Sequence, residues 1–233
     1  MVSNLSRFFI LVALVPFALG SQTANSAGEI GVVRLVKVWA FGTPPQATRG
    51  PLFRIDDLFS NELVETVENG ALHILFLDDT TLRLGSLSQV TLDSFVYDPN
   101  TSSGEMVVDL GEGIFRFITG KMNKNGIQVR TPVAVIGVRG TEFIVEVGPD
   151  GTTTVSVIEG AVEVTAREGG GASVSVGVGR AVVVNASLQF SERAALPQLD
   201  PGLRADAGIS QGGVGGGHEQ NVSSPSPSPS PSP

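Results

Sequence analysis

From Gly28 to about Asn185 the chain alternates apolar and polar residues with a period of two, in short runs separated by turn residues. In Glu142 to Val147, Phe143, Val145 and Val147 share one face and Glu142, Ile144 and Glu146 the other. Such a period places side chains on opposite sides of a pleated strand and predicts a half-buried β-strand. Thr153, Val155 and Val157 repeat the pattern, Glu159-Gly160 interrupts it, and Val162 and Val164 resume it, which reads as two neighbouring strands tightly joined. Val174 and Val176, then Ala181 to Val184, continue the series. Earlier, Ala71 to Leu77 and Thr81 to Leu84 flank Asp78-Asp79-Thr80 as a hairpin with an acidic turn. Gln89 to Val96, Glu105 to Leu110 and Gly113 to Phe117 are further strands, with a turn at Asp98-Pro99-Asn100. Only Ile55 to Thr66 leaves room for one short helix. The expected fold is all-β: many short antiparallel strands in a β-sandwich, roll or short β-solenoid.

The pattern changes at both ends. Arg7, the apolar run Phe8 to Val15, Pro16 and the small residues between Gly20 and Ala27 read as a signal peptide over residues 1–27. The apolar stretch is shorter than the roughly 20 residues of a spanning helix, and no later run is long enough, so no transmembrane span is expected after cleavage. Residues 28–185 form the expected domain, and 186–233 a linker and a tail that turns glycine-rich after Pro197 and ends in a Ser-Pro repeat from Ser224 to Pro233. Alternating proline removes backbone donors and favours an extended, polyproline-like chain, so this end is expected to be disordered.

The composition of 41% apolar and 16% charged residues, rich in valine, suits strands. Loss of Arg7 with the signal peptide would leave 14 basic against 23 acidic residues, a net charge of −9, which disfavours nucleic acid as a partner. With no cysteine there are no disulfides and no thiolate chemistry, so an exported domain must be held by its core. Catalytic groups are sparse. His73 lies within a strand and His218 in the glycine-rich tail, which gives neither a triad nor a zinc ligand set. Asp56-Asp57, Asp78-Asp79, Asp93 and Asp98 lack the spacing of a calcium loop, and aspartate accepting a backbone N–H two residues on explains them without a metal. Gly137-Val138-Arg139-Gly140 lacks the Lys-Ser/Thr of a phosphate loop and opens no helix. No catalytic residue, metal or cofactor is assigned.

The run Thr131-Pro132-Val133-Ala134-Val135-Ile136-Gly137-Val138-Arg139-Gly140-Thr141-Glu142-Phe143-Ile144-Val145 resembles the central signature of the FecR (ferric-citrate regulator) domain family. Gly151 to Val157 and Gly160 to Val164 are similar to its downstream continuation, and Glu68 to Leu84 to its strand, acidic turn and strand, so the resemblance spans Ile30 to Val184. It implies an all-β domain outside the cytoplasm, with Thr131, Pro132, Gly137, Val138, Arg139, Gly140, Thr141 and Phe143 as a structural signature. Arg139 is expected to hydrogen-bond carbonyls or a carboxylate at a sheet edge. The family's membrane-spanning regulators handle a sigma factor from a cytoplasmic segment, and only a signal sequence is expected ahead of this domain. A stand-alone exported member is therefore expected, in the periplasm or on the surface of a Gram-negative-type bacterium. The leading expectation is a non-catalytic binding or scaffold module for an envelope protein or glycan. The alternatives are a periplasmic sensor component acting with a separate membrane partner and a carbohydrate-active enzyme. Intact-mass measurement of the native protein checks export: the expected species starts between Ser21 and Gly28, and one starting at Met1 contradicts cleavage.

Overall fold

The computed structural model describes residues 28–123, 125–167 and 171–193, and within them every regular element is a strand. The segment expected to be a signal peptide, His218, and the glycine-rich and Ser-Pro tail lie outside the described residues. In chain order the strands are β1 (Glu29–Lys37), β2 (Ala40–Thr43), β3 (Gly50–Pro51), β4 (Asp57–Phe59), β5 (Glu62–Thr66), β6 (Ala71–Phe76), β7 (Thr81–Leu84), β8 (Gln89–Asp98) and β9 (Ser103–Leu110). They continue as β10 (Gly113–Ile118), β11 (Ile127–Arg130), β12 (Ala134–Val138), β13 (Glu142–Val147), β14 (Thr153–Glu159), β15 (Ala161–Ala166), β16 (Ser173–Gly177), β17 (Ala181–Val184) and β18 (Phe190–Arg193).

The strands make two nine-stranded sheets, ordered β18-β17-β14-β13-β10-β7-β6-β1-β4 and β16-β15-β12-β11-β9-β8-β5-β2-β3. Past the first four strands, order within each sheet follows order in the chain. The polypeptide thus advances along two stacked layers, stepping from one to the other after one or two strands. Pairing is antiparallel except between β9 and β11, which run parallel because β10 is spent in the other layer. Each strand contacts mainly what the chain has just built, as in a solenoid.

Alternation along the strands makes the two inner faces apolar, and they enclose one continuous core. Phe76 of one sheet stacks on Phe95 of the other at 5.7 Å between ring centres. Phe117 and Phe143, neighbours in one sheet and both fully buried, stack at 5.2 Å. Burying a side chain of this size contributes about 1.5–3 kcal/mol, so a core of this extent accounts for a fold without disulfides.

Three sequence readings change. Ile55 to Thr66 holds no helix: it contains β4 and β5, separated by Asn61 at a φ of 62°, because pairing with β1 and β8 satisfies its backbone. Strands β14 and β15 are not paired neighbours. The one-residue link Gly160, at a φ of 76°, is too short for a hairpin and carries the chain between layers, so β14 pairs with β13 and β17, and β15 with β12 and β16. The sheet also continues past the expected boundary at Asn185, through β18 paired on β17.

A Cβ at Gly160 would sit 2.4 Å from the Gly140 carbonyl oxygen. Gly160→Ala is therefore expected to destabilise by about 1–3 kcal/mol, through left-handed backbone and this clash together. Chemical denaturation checks it, and an unchanged midpoint contradicts the corner geometry.

Candidate interaction surface

The signature run lies across the turn from β11 to β12 and the corner from β12 to β13. Thr131 is buried: its Oγ1 accepts the Ala134 N–H at 3.0 Å and the Thr153 hydroxyl at 2.9 Å. Thr141, also buried, donates its N–H to Thr119 Oγ1 at 2.9 Å and its hydroxyl to the Ala161 carbonyl at 2.8 Å, linking the two layers. Val138 and Phe143 belong to the core, and Gly140 occupies the corner at a φ of 71°. Gly137 lies mid-strand between Gln128 and Glu163, and Pro132 is exposed in the turn. Arg139 is also exposed and makes one contact, to the Glu163 carboxylate at 3.3 Å. An exposed pair of that kind contributes at most about 1 kcal/mol.

The residues weighed for chemistry are dispersed. His73 is half-buried in β6. Asp78 accepts the Thr80 N–H and hydroxyl, Asp98 the Asn100 N–H, and Asp56 the Phe53 N–H. Asp93 pairs with Arg130. The acidic turns thus use their carboxylates on their own backbone, and among the described residues no group of three or more acidic or histidine side chains is placed to hold a metal ion. A cavity of about 540 Å³ is lined by Glu112 and Glu146 with Ser86, Leu87 and Thr152 among others.

A different feature stands out where the chain first changes layer. Strand β1 ends at Lys37 in one sheet and β2 begins at Ala40 in the other, so Val38 and Trp39 make the whole crossing, with Val38 at a φ of 63°. The return crossing from β3 to β4 carries Ile55 at a φ of 76°. The Phe53–Asp56 turn is hydrogen-bonded onto β1, with Ile55 N–H donating to the Val33 carbonyl and Val33 N–H to that of Asp56. Between the corners lies a groove of about 430 Å³ lined by Arg34, Leu35, Val36, Val38, Trp39, Leu52, Phe53 and Arg54. Its lining exposes large apolar groups, with Val38 55%, Trp39 51% and Phe53 56% accessible, and Ile55, next in the chain to Arg54, is 71% accessible.

Pairing of β1 with β6 slips at this point: Val33 faces Ile74 and Leu35 faces His73, so Arg34 is the extra residue of a β-bulge. Bulges re-aim side chains, and Arg34 is exposed on the groove. Sequence reasoning did not single out this site. Alternation marks each residue as strand or loop, and nothing in it shows that positions 34, 39 and 53 converge. Left-handed valine and isoleucine, the clearest signal, are visible only in the backbone.

Beside the groove, and sharing Leu52 with it, a second cavity contains Glu62, which is only 1% accessible. Burial pushes its carboxyl above the ordinary value near 4.5; the Phe59 N–H, donating at 3.0 Å, opposes this, and the nearby Asp56 charge adds to it.

Residues 62–163 match the family model described as FecR protein. The chain carries a FecR domain. This match is narrower than the resemblance read from the sequence, and the groove residues Arg34 to Ile55 precede it. The FecR domain contains the whole signature, and Glu62 is its first residue. Among solved structures, two crystal structures of a candidate anti-sigma factor from Parabacteroides distasonis are similar, at 20% identity and a TM-score of 0.46, covering 57% of this chain and 59% of that one. The alignment thus spans less than two thirds of that protein's length. No curated protein matches the chain. No helix among the described residues is long and apolar enough to cross a membrane.

Glu62 sets a pH dependence. With its folded pKa raised, its contribution to stability is fully present below the unfolded value near 4.5 and is lost as pH rises through the folded value. Glu62→Gln keeps an acceptor for the Phe59 N–H and removes the charge. Its melting temperature is expected to exceed that of the wild type at about pH 7, the gap closing below about pH 4.5. Thermal melts across pH check it, and a gap that widens on acidification contradicts it.

Proposed function

We propose that this protein is an exported, non-catalytic binding module of the cell envelope, acting in the periplasm or at the surface through the groove between β1 and the Leu52–Ile55 loop. The carrying observation is the backbone there. Left-handed conformation costs a β-branched residue on the order of 1–3 kcal/mol, and elsewhere glycine or asparagine fills many such positions. Keeping Val38 and Ile55, with both side chains exposed, makes sense when those side chains have work outside the fold. Tryptophan, arginine and large apolar side chains are also the residues that dominate protein interfaces. A signalling role beside a separate membrane partner is the second reading, favoured by the FecR match over residues 62–163.

Photo-crosslinking in the native envelope tests the proposal. A crosslinker replacing Phe53 is expected to capture a partner that one replacing Val96, exposed on another strand, does not. Trp39→Ala should lower capture about tenfold. Val38→Gly should raise the melting temperature by relieving strain while still weakening capture. Equal capture from both crosslinker sites, or none, overturns the assignment. Recovery of a transporter or signalling membrane protein would select the sensor reading, and another envelope component the scaffold.

A further inference from the structure

We infer that the groove receives an acidic, apolar segment of a partner protein, whose carboxylates are held by Arg34 and Arg54. This rests on the binding reading above and adds the chemistry of the occupant. The argument starts from how the arginines are used. Arg49, Arg116, Arg130, Arg139 and Arg180 each pair with a carboxylate, and Arg167 donates to the Thr131 carbonyl. Arg83 is also engaged. Among the described residues Arg34 and Arg54 alone of the arginines with described side chains have no such contact, and both line the same groove. Carboxylates outnumber cations in this chain, 23 to 15, so two unpaired guanidiniums on one groove are not a product of scarcity.

Local charge strengthens the point. Lys37, exposed at the end of β1, also has no carboxylate partner among the described residues. The closest carboxylate in the loop, Asp56, is occupied by the Phe53 N–H at 2.7 Å. The groove is thus a basic site on an acidic protein, and guanidinium presents a planar fork that matches a carboxylate. The remaining lining is apolar, with aliphatic Val36, Val38 and Leu52 beside aromatic Trp39 and Phe53. A glycan would call for flat aromatic platforms with hydrogen-bonding amides and hydroxyls, and a bilayer for a convex apolar face. A concave site with aliphatic rims and two cations fits a peptide whose acidic residues flank apolar ones.

The test selects displayed random short peptides on the full-length exported protein. Enriched sequences are expected to combine aspartate or glutamate with aliphatic or aromatic residues. Their affinity should fall about tenfold or more in the R34A/R54A double variant, and also as salt rises from about 50 mM to about 500 mM. Because neither arginine is bonded within the fold, that variant should melt as the wild type does. Enrichment of neutral or basic peptides, or an affinity indifferent to the two arginines, overturns the inference. Binding to phosphatidylglycerol vesicles in place of peptides, or self-association in sedimentation, either one abolished by R34A/R54A, overturns it in favour of a membrane or a second copy. Envelope crosslinking separates the two levels. Capture lost with Trp39→Ala but kept with R34E/R54E sinks the acidic chemistry and leaves the binding module; capture unaffected by all three substitutions sinks both.

Discussion

A chain that builds two stacked sheets at once must change layer repeatedly, and all but one of its crossings have five residues or fewer in which to do so. Extended backbone cannot make that step, whereas a single residue with positive φ redirects the chain sharply enough. Among the described residues every crossing except that from β10 to β11 carries one: Val38, Ile55, Asn61, Asn69, Leu87, Gly113, Gly140, Gly160 and Gly179 in turn. The register of both sheets, the shared core and the parallel β9–β11 pair all follow from where these corners fall.

The corners also explain what the signature run is made of. Gly140 turns the chain from β12 into β13 while the adjacent Thr141 bonds to the Ala161 carbonyl just beyond the next corner, Gly160. Consecutive corners are thereby held against each other, close enough that a Cβ at Gly160 would clash with the Gly140 carbonyl oxygen. Thr131 and Thr153 do the same for two hairpin ends through their hydroxyls. The signature threonines Thr131 and Thr141 are buried and bonded because they close the ends of a sandwich around an apolar core.

Strain is distributed unevenly along this series. From Gly113 onward the corners use glycine, which adopts left-handed backbone at little cost. At the N-terminal end they use valine and isoleucine, and these two flank a groove in which a bulge turns Arg34 outward. Stability is given up where side chains are presented to solvent and conserved where they are not, the distribution expected of a rigid scaffold with a recognition surface at one end.

Much of the fold was legible in the chain alone. Period-two alternation located the strands from Ala71 to Val184 except β11 and β12, and Asp78-Asp79-Thr80 marked a hairpin that the structure contains, with Asp79 at a φ of 67°. The T-P…G-V-R-G-T-x-F run led to the FecR domain that the family model matches. Alternation says which side of a strand faces a core but is silent on which sheet the strand joins, so β14 and β15 read as a pair although Gly160 sends them into different layers. Ile55 to Thr66 was misread for a related reason: its spacing is compatible with a short helix, and only pairing with β1 and β8 makes it extended. The groove was beyond reach for the same cause, since Arg34, Trp39 and Phe53 look unremarkable one at a time. The sequence by itself determined strand content, the apolar faces and the family; the tertiary structure alone decided layer assignment and the convergence of the groove, because both depend on long-range pairing and on the sign of φ at non-glycine corners, which residue identity does not encode.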